Sequence, residues 1–368
     1  MSSYPSQPST SNWEGAAAAG QSASHSQPAK LPLPSQLIRQ PQSLNDDKRP
    51  MYIFGKYSLE PDTVIPKRER EPTGHTIADI VSTVEEDGRT YHGYMAGEYS
   101  LPNDGEEQDR QDFQHTLYSI LLDGKLATAP VNSPRHVLDI GTGTGIWALE
   151  YAEANPDSHV IGTDLSLIQP PPRTSNCEFI LENSETEDWI FPYLFDYVHL
   201  RSMGPCFNDL QTVIQKAFNH MAPGGWIEFL DGLWQPQSAD GTMENTALDK
   251  WFKFVVIGAA KSGRDMIKAK FFKQHLEAAG FINVVEHIIP SPFSPWPKDR
   301  KLKKSGAFAG TALITAVDSY RKVLGFAGVP PAEIEDLTEA AKKDILNLNI
   351  HGYMLVYNVY GQKPPAVQ

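Results

Sequence analysis

A glycine-rich turn after a short apolar strand constrains the fold of this 368-residue chain more than any other feature. Residues 137–140 (VLDI) are apolar apart from one acid, and residues 141–145 (GTGTG) follow them directly. Glycines at such a turn let the backbone approach a ligand closely, and the helix that begins there points its N-terminus at the same place. The pattern therefore predicts a strand–turn–helix unit with a ligand site at the turn.

Strands and helices alternate on both sides of this unit. Short runs of consecutive apolar residues predict strands that are buried on both faces. Apolar residues at helical spacing predict helices between these strands. This alternation is typical of an α/β domain with a mainly parallel sheet covered by helices on both faces. The predicted strands are 136–140, 159–162, 177–181, 195–200 and 226–230, two further strands close the sheet at 282–289 and 354–360, and a helical insert occupies about 298–348 between the last two.

The first 89 residues differ in composition from the rest. They are rich in Ser, Pro and Gln, and their large apolar residues are sparse and without period. Such a segment buries too little surface to offset its ordering entropy. We therefore expect a disordered tail over 1–89, with a short strand at 51–54 as an option, and one domain over 90–365 whose cofactor-binding core spans about 134–232.

Charge and cysteine content exclude several classes of function. The net charge is −13, which disfavours direct binding to nucleic acid because a phosphate-binding surface needs an excess of Lys and Arg. The two cysteines, Cys177 and Cys206, are too few for a disulfide framework or a zinc site. The longest apolar run, 254–260, is far shorter than the roughly 20 residues of a membrane-spanning helix, and the N-terminus does not read as a secretory signal. We expect a protein of the cytoplasm, the nucleus or both, without a membrane or metal.

The spacing of the glycines and the neighbouring acids indicate the ligand. The turn reads G-x-G-x-G, whereas dinucleotide-binding proteins typically use G-x-G-x-x-G. Asp139 just before it would repel a pyrophosphate but suits the amino group of S-adenosylmethionine (SAM). Asp164 ends the next strand, where an acid accepts hydrogen bonds from ribose hydroxyls. Asn183 follows the third strand, where its side-chain oxygen could accept from the adenine amino group or simply stabilise a turn. The turn residues expected to bind SAM are Gly141, Thr142, Gly143 and Gly145.

At these residues the sequence resembles the class I SAM-dependent methyltransferases, and more narrowly the fungal LaeA-like methyltransferases, which are tied to secondary metabolism and the velvet complex. The resemblance extends from about residue 88 to residue 364. It implies a seven-stranded sheet whose last strand is antiparallel, a helical insert that acts as a lid, and a cofactor contact at Leu165. Many relatives have an acid where this chain has Asn183. The segments that carry the resemblance are 89–94 (RTYHGY), 99–104 (YSLPND) with Glu107 and Arg110, 138–148 (LDIGTGTGIWA), 161–166 (IGTDLS), 169–170 (QP), 195–201 (FDYVHLR), 223–228 (PGGWIE), 295–298 (PWPK) and 361–364 (GQKP).

Several polar and aromatic residues are candidates for the chemistry of methyl transfer. His199 and Arg201 follow the fourth strand at the edge where ligands bind, so His199 could act as a general base or be a core histidine, and Arg201 could bind the carboxylate of SAM or an acid of the substrate. Aromatic faces near a sulfonium add cation–π attraction. For that role the candidates are Tyr91, Tyr94, Tyr99 and Trp147, with Tyr99 taken as a SAM contact, and the weaker candidates for a base are Glu228, Asp231 and His351.

These observations leave two functions open. In the first, the protein methylates an O or N atom of a small molecule, a fungal secondary metabolite. In the second, it is a LaeA-like nuclear regulator that acts through velvet-type partner proteins, with a protein as methyl acceptor. A nicotinamide-dependent dehydrogenase is disfavoured by the glycine spacing and by Asp139. The basic run at 298–304, and a second one at 67–70, are interpreted as solvated charge rather than as contacts for a partner.

Overall fold

The computed structural model describes residues 83–366, and within them the chain forms a seven-stranded sheet with helices on both faces. A separate hairpin of β1 Thr83–Glu86 and β2 Arg89–His92 precedes it. The strands of the sheet are β3 His136–Ile140, β4 His159–Asp164, β5 Cys177–Leu181, β6 Phe195–Arg201, β7 Met221–Ser238, β8 Ile282–Pro292 and β9 Gly352–Gln362. Their spatial order is β5-β4-β3-β6-β7-β9-β8. The helices are α1 Gly105–Leu121, α2 Ile146–Ala154, α3 Leu210–His220, α4 Ala247–Lys261, α5 Phe272–Ala278, α6 Arg300–Ser319, α7 Arg321–Ala327 and α8 Pro331–Leu346.

The strand directions follow the class I methyltransferase pattern. Strands β5, β4, β3, β6 and β7 pair in parallel, and β9 pairs antiparallel with both β7 and β8. The expected sheet, mainly parallel with its last strand antiparallel, is confirmed. The order reverses between β3 and β6, so the crevice at their carboxyl ends is where an open α/β sheet binds ligands.

The sheet and the helices α3 and α5 enclose the main hydrophobic core. Leu138 of β3, Val198 of β6 and Ile227 of β7 are fully buried there, together with Val213 of α3 and Leu276 of α5. Strands covered on both faces bury nearly every residue, which explains why the sequence of β3 and β6 is almost continuously apolar. This packing holds the carboxyl ends of the strands in fixed positions.

A second hydrophobic core lies between α4 and the helices that connect β8 to β9. Helix α4 packs against α7 and α8, with Trp251, Val255, Leu324 and Ala341 buried between them. Gly258 makes this close approach possible, because a Cβ at that position would lie 2.0 Å from the carbonyl oxygen of Val323. The helices between β8 and β9 are therefore anchored on α4 as well as on the sheet.

The structure differs from the sequence-based expectation at the start of the domain. Residues 83–89, predicted to belong to the tail, contribute to an antiparallel hairpin of β1 Thr83–Glu86 and β2 Arg89–His92. The rest of the predicted tail, the optional strand at 51–54 and the basic run at 67–70 lie outside the described residues. Strand β7 is also longer than predicted and includes the Pro-Gly-Gly at 223–225. Across residues 83–366 no helix has the length and apolar character to cross a bilayer.

Candidate functional site

The glycine turn is held in a conformation that favours glycine. Gly141, Gly143 and Gly145 have φ angles of +69°, +57° and +78°, a region in which other residues are strained. The backbone N–H groups of Gly141 and Thr142 donate to the carbonyl oxygen of Thr163, at 2.8 and 2.9 Å. A Cβ at Gly143 would lie 2.4 Å from Oε1 of Gln111. The turn is thus packed tightly between β4 and α1, with its backbone facing the sheet edge.

A cavity opens directly above this turn, and we call it the loop cavity. The space between its walls, including its opening to solvent, is about 1180 Å³. It lies at the carboxyl ends of β3, β4, β5 and β6, where ligands bind in folds of this kind. The sequence-predicted residues that line it are Tyr99, Gly141, Thr142, Gly143, Asp164, Leu165, Asn183 and Arg201.

Asp164 is placed at the end of β4 with its carboxylate at the loop cavity. Its Oδ2 accepts from the backbone N–H of Gly143 at 2.9 Å, and its Oδ1 accepts from that of Ser166 at 2.9 Å. Burial raises the pKa of Asp164 to about 6 despite these two hydrogen bonds. The carboxylate is therefore fixed in orientation and has lone pairs left for hydroxyl donors.

Asn183 lines the cavity, but its side chain is already engaged. Its Oδ1 accepts from the backbone N–H groups of Glu185 and Thr186, at 3.0 and 3.2 Å. Its Nδ2 lies 3.1 Å from the sulfur of Met95. This geometry is that of a turn asparagine, the alternative that the sequence left open. The acidic side chain of Glu182 lines the same wall.

Asp139 and His199 form a buried pair behind the turn. They are aligned partners on β3 and β6, and Oδ1 of Asp139 lies 2.7 Å from Nδ1 of His199. The other oxygen of Asp139 accepts from the hydroxyl of Thr142 at 2.7 Å. The ring of Trp147 stacks on His199 at 3.7 Å between centroids. Neither Asp139 nor His199 lines the loop cavity, so the expectation that they contact SAM or an acceptor has no support in the geometry.

Other candidates also lie away from the cavity. Gly145 is the N-cap of α2, where a Cβ would lie 2.5 Å from the ring of Phe179, so it shapes the turn rather than lining the cavity. Trp147 donates from its ring nitrogen to the carbonyl of Leu126. Tyr94 donates to the carboxylate of Glu187. Of the four aromatic candidates, Tyr99 is the one that lines the cavity.

Arg201 reaches the loop cavity through a supported side chain. Its Nη1 donates to Nδ1 of His115 at 2.9 Å, and Nε2 of His115 lies 2.9 Å from Oε2 of Glu150. Because Nδ1 accepts from the guanidinium, the neutral ring carries its proton on Nε2 and donates it to Glu150. Burial lowers the pKa of Arg201, with nearby acids acting in the opposite direction. The chain Glu150–His115–Arg201 therefore fixes a half-buried cation at the cavity wall.

A second cavity, which we call the insert cavity, adjoins the first. The space between its walls is about 1160 Å³, opening included. Helices α1, α4 and α6 and strands β7, β8 and β9 enclose it with mostly apolar and aromatic side chains. The residues that line both cavities are Tyr99, Leu101, Arg110, Gln114, Ser202, Cys206 and Arg264.

Two features at the junction of the cavities were not assigned a role from the sequence. Nε of Arg110 donates to both carboxylate oxygens of the fully buried Glu107, each at 2.9 Å. Ser202 adopts a φ of +59°, a strained conformation for serine of the kind that concentrates at functional sites, and its hydroxyl lies 3.1 Å from that of Tyr118. The pairing of Arg110 with Glu107 could have been read from their spacing of three residues on one helix. The position of Arg110 between two cavities depends on the tertiary packing.

The weaker candidates divide clearly. Glu228 is buried and accepts from the backbone N–H groups of Thr128 and Ala129, which makes it a structural acid. His351 pairs with Asp240 at 2.6 Å and lines neither cavity. Asp231, in contrast, lines the insert cavity.

Comparisons with known proteins agree with this architecture. Residues 113–286 match a family described as a methyltransferase domain. The methyltransferase pytC of Aspergillus terreus is 32% identical over 316 residues, which are 83% of this chain and 96% of the relative. The chain belongs to the fungal LaeA-like methyltransferases. The protein-methionine methyltransferase laeA of Emericella nidulans is 32% identical over 292 residues, 76% of each chain.

Among solved structures, phospholethanolamine N-methyltransferase 2 of Haemonchus contortus, in complex with S-adenosylhomocysteine, matches with 16% identity and a TM-score of 0.44. The match covers 73% of this chain and 59% of that one, a likeness too distant to bear on the substrate.

The loop cavity of this LaeA-like methyltransferase fits SAM, the cofactor of the family. The turn offers a backbone cradle that a Cβ would fill, an acid ends β4, and Arg201 supplies a half-buried cation. These groups match the ribose hydroxyls and the carboxylate of SAM in charge and hydrogen-bonding character. The protein is a SAM-dependent methyltransferase.

Proposed function

We propose that this methyltransferase transfers the methyl group of SAM to an O or N atom of a small acceptor bound in the insert cavity, a fungal secondary metabolite. The observation that carries the proposal is the shared wall of the two cavities, formed by residues such as Tyr99 and Ser202. A donor and an acceptor in adjoining cavities meet at that wall. Most of the rate gain in such a transfer comes from positioning and from excluding water.

In this proposal each residue of the loop cavity has a defined part. Asp164 accepts from the ribose hydroxyls, Arg201 pairs with the carboxylate, and Leu165 contacts the adenine. The backbone of Gly141 and Gly143 lies against the methionyl part. SAM supplies an activated methyl group on a positively charged sulfur, and the face of Tyr99 favours that charge.

A small molecule is favoured as acceptor by the enclosure of the insert cavity. Its walls are apolar and aromatic side chains with few polar groups, which is typical of small-molecule sites. Helices α6 and α7 form one wall and would act as the lid expected from the sequence.

Calorimetry with SAM tests the first half of the proposal, and metabolite analysis tests the second. We expect SAM to bind the intact protein and Asp164→Ala to weaken it, whereas Asp139→Ala should act mainly through stability. A strain that lacks the protein should lose one methylated product. If the intact protein does not bind SAM, the proposal is refuted.

A regulatory function is the second candidate, and the names of the relatives favour it. Two of them are called a protein-methionine methyltransferase and a secondary metabolism regulator. In that case the methyl acceptor is a protein, and the chain acts in the nucleus with velvet-type partners. The net charge of −13 means that any effect on genes would pass through partners rather than through direct DNA binding. Recovery of velvet-type proteins in a pull-down, with loss of many metabolites on deletion, would favour this function.

A further inference from the structure

The insert cavity contains one buried acid that the transfer proposed above does not yet use. Asp231 of β7 lines this cavity and is 3% exposed. One of its oxygens, Oδ2, accepts from the backbone N–H of Gly204 at 2.7 Å. Within residues 83–366, no Lys, Arg or His side chain forms an ion pair with it. Burying a carboxylate without a paired cation is energetically unfavourable. The position of Asp231 at the wall of a cavity therefore suggests a function.

The groups that face Asp231 do not share its proton chemistry. The phenols of Tyr118 and Tyr320 and the thiol of Cys206 come from three different elements. Burial is the main cause that raises their pKa values, to about 12 for Tyr118 and about 12 for Cys206, and upward for Tyr320 as well. They stay neutral at physiological pH. Burial raises the pKa of Asp231 itself to about 7, so among the groups just named it is the one that changes charge near neutrality.

The two cations on the cavity wall are engaged with other partners. Arg110 is paired with the buried carboxylate of Glu107, whose Oε1 lies 2.8 Å from its Nη2. Arg264 donates to the carbonyl oxygens of Cys206 and Glu98. Among the residues that line the insert cavity, Asp231 is therefore the one carboxylate, and no cation of the wall is paired with it.

We infer that Asp231 is the general base of the transfer, and that the acceptor is a largely apolar, planar molecule with a neutral phenolic or enolic hydroxyl. The aromatic side chains of Tyr118, Trp234, Phe293 and Tyr320 line the cavity and match a planar ring. This inference rests on the function proposed above and specifies its acceptor.

The proposed step balances without a further reactant. The acceptor oxygen forms the new O–C bond with the methyl carbon, and the C–S bond breaks with its electron pair going to sulfur. The hydroxyl proton moves to the carboxylate of Asp231, which later releases it to solvent. A base whose pKa is close to the working pH is the most effective for this purpose.

The test uses 2-naphthol as probe and its methyl ether, 2-methoxynaphthalene, as the matched ligand without the proton. Calorimetry measures the affinity of each of these two ligands between pH 5.5 and pH 8, on the full-length protein saturated with S-adenosylhomocysteine. We expect 2-naphthol to bind about tenfold more tightly at pH 8 than at pH 5.5, because the ionised carboxylate accepts a hydrogen bond from its hydroxyl. The methyl ether should bind equally at both.

Asp231→Asn keeps the shape of the side chain and its acceptor for Gly204 but removes the charge. We expect this variant to lose the pH dependence of 2-naphthol binding. With SAM as donor, it should also lower the rate of 2-naphthol methylation by 10²–10⁴-fold. Asp196→Asn is the matched control, because Asp196 accepts from the backbone of Arg135 and His136 at the opposite edge of the sheet.

The outcomes separate this inference from the proposed function. If SAM binds but 2-naphthol does not bind, or binds without pH dependence, or keeps that dependence in Asp231→Asn, the role of Asp231 is refuted while methyl transfer stands. If SAM itself does not bind, the proposed function fails first. Binding of SAM by Asp231→Asn, with a melting temperature no lower than that of the wild type, excludes misfolding as the cause of a loss.

Discussion

The carboxyl group of Asp164 should make SAM binding depend on pH. Burial raises the pKa of this group to about 6 from an ordinary value of 3.8, so below about pH 6 the folded protein without ligand carries mostly the protonated form. Hydroxyl donors and the positive sulfonium of SAM favour the ionised form instead. Binding must therefore draw the group to its ionised state, and the affinity for SAM should rise as the pH rises through about 6.

The size of the effect follows from that pKa. With a pKa of about 6, roughly half of the protein carries the carboxylate at pH 6, and roughly one molecule in eleven at pH 5. The affinity for SAM should then be about tenfold lower at pH 5 than at pH 7, which corresponds to about 1.4 kcal/mol. The same burial makes the ionised form unfavourable by roughly 3 kcal/mol in the folded protein.

Stability should change in the opposite direction to affinity. Because the folded pKa is higher than the unfolded one, the folded state holds more protons between pH 4 and pH 6. The contribution of Asp164 to the free energy of unfolding is therefore largest below about pH 4 and is lost as the pH rises through about 6. Asp164→Asn should remove this loss, so that the variant is more stable at pH 7 but binds SAM more weakly.

Isothermal calorimetry from pH 5 to pH 7.5, with urea unfolding of the same samples, checks both trends. Asp164→Asn should show weak SAM binding that does not change over this range. Asp240→Asn is a suitable control, since Asp240 is exposed and pairs with His351 away from both cavities. A wild-type affinity that is flat with pH, or a variant as pH-dependent as the wild type, would refute the assignment of Asp164.

Three further predictions concern the turn, the cation and the insert. Gly145→Ala should lower the melting temperature and weaken SAM binding, because φ is +78° and the new Cβ would meet the ring of Phe179 at 2.5 Å. Thermal melts with and without SAM measure both effects. An unchanged melting temperature would contradict the strain argument. Arg201→Ala should weaken SAM by about tenfold or more in calorimetry, while S-adenosyl analogues that lack the carboxylate bind both proteins alike; equal loss for such analogues would contradict a carboxylate contact. Trp251→Ala should lower the free energy of unfolding, measured by urea denaturation, by about 3–5 kcal/mol, because Trp251 is fully buried in the core between α4 and the insert. A decrease below about 1 kcal/mol would mean that this core is not packed as described.

The strands of the sheet, and the edge of the sheet that binds the ligand, could be predicted because both depend on residues that are close in sequence. The glycine turn follows β3, and Asp164 ends β4, so their meeting at one edge follows from parallel strands. The partner of Asp139 could not be predicted, because it depends on the register of two strands. In the folded protein Asp139 is aligned with His199 across β3 and β6, and the two side chains satisfy each other inside the sheet. Sequence spacing gives no information on the register of two strands that are far apart in the chain.

The insert cavity was beyond the reach of sequence patterns for a related reason. Its walls come from helices and strands at both ends of the domain, from Leu117 of α1 to Val356 of β9. The sequence made Asp231 one of three weaker candidates for a base, because its burial and its lack of a paired cation follow only from the packing of distant elements around it. Glu107 and Arg110 belong to a motif that the sequence shows. The contact of Glu107 with α6 could not be predicted: the hydroxyl of Ser319 donates to its carboxylate at 2.8 Å.

The two cavities depend on different parts of the fold, and this separates donor binding from acceptor choice. The floor of the loop cavity includes the glycine turn and the ends of β3 and β4, where positive φ angles at Gly141 and Gly143 leave little freedom. One wall of the insert cavity is built by side chains of α6, including Ala309, Ala312 and Ala316. Small residues at these positions create the space, and a larger side chain would fill it without moving the glycine turn. A change at Ala312 should therefore alter which acceptor fits, whereas a change at Gly143 alters whether the methyl donor binds at all.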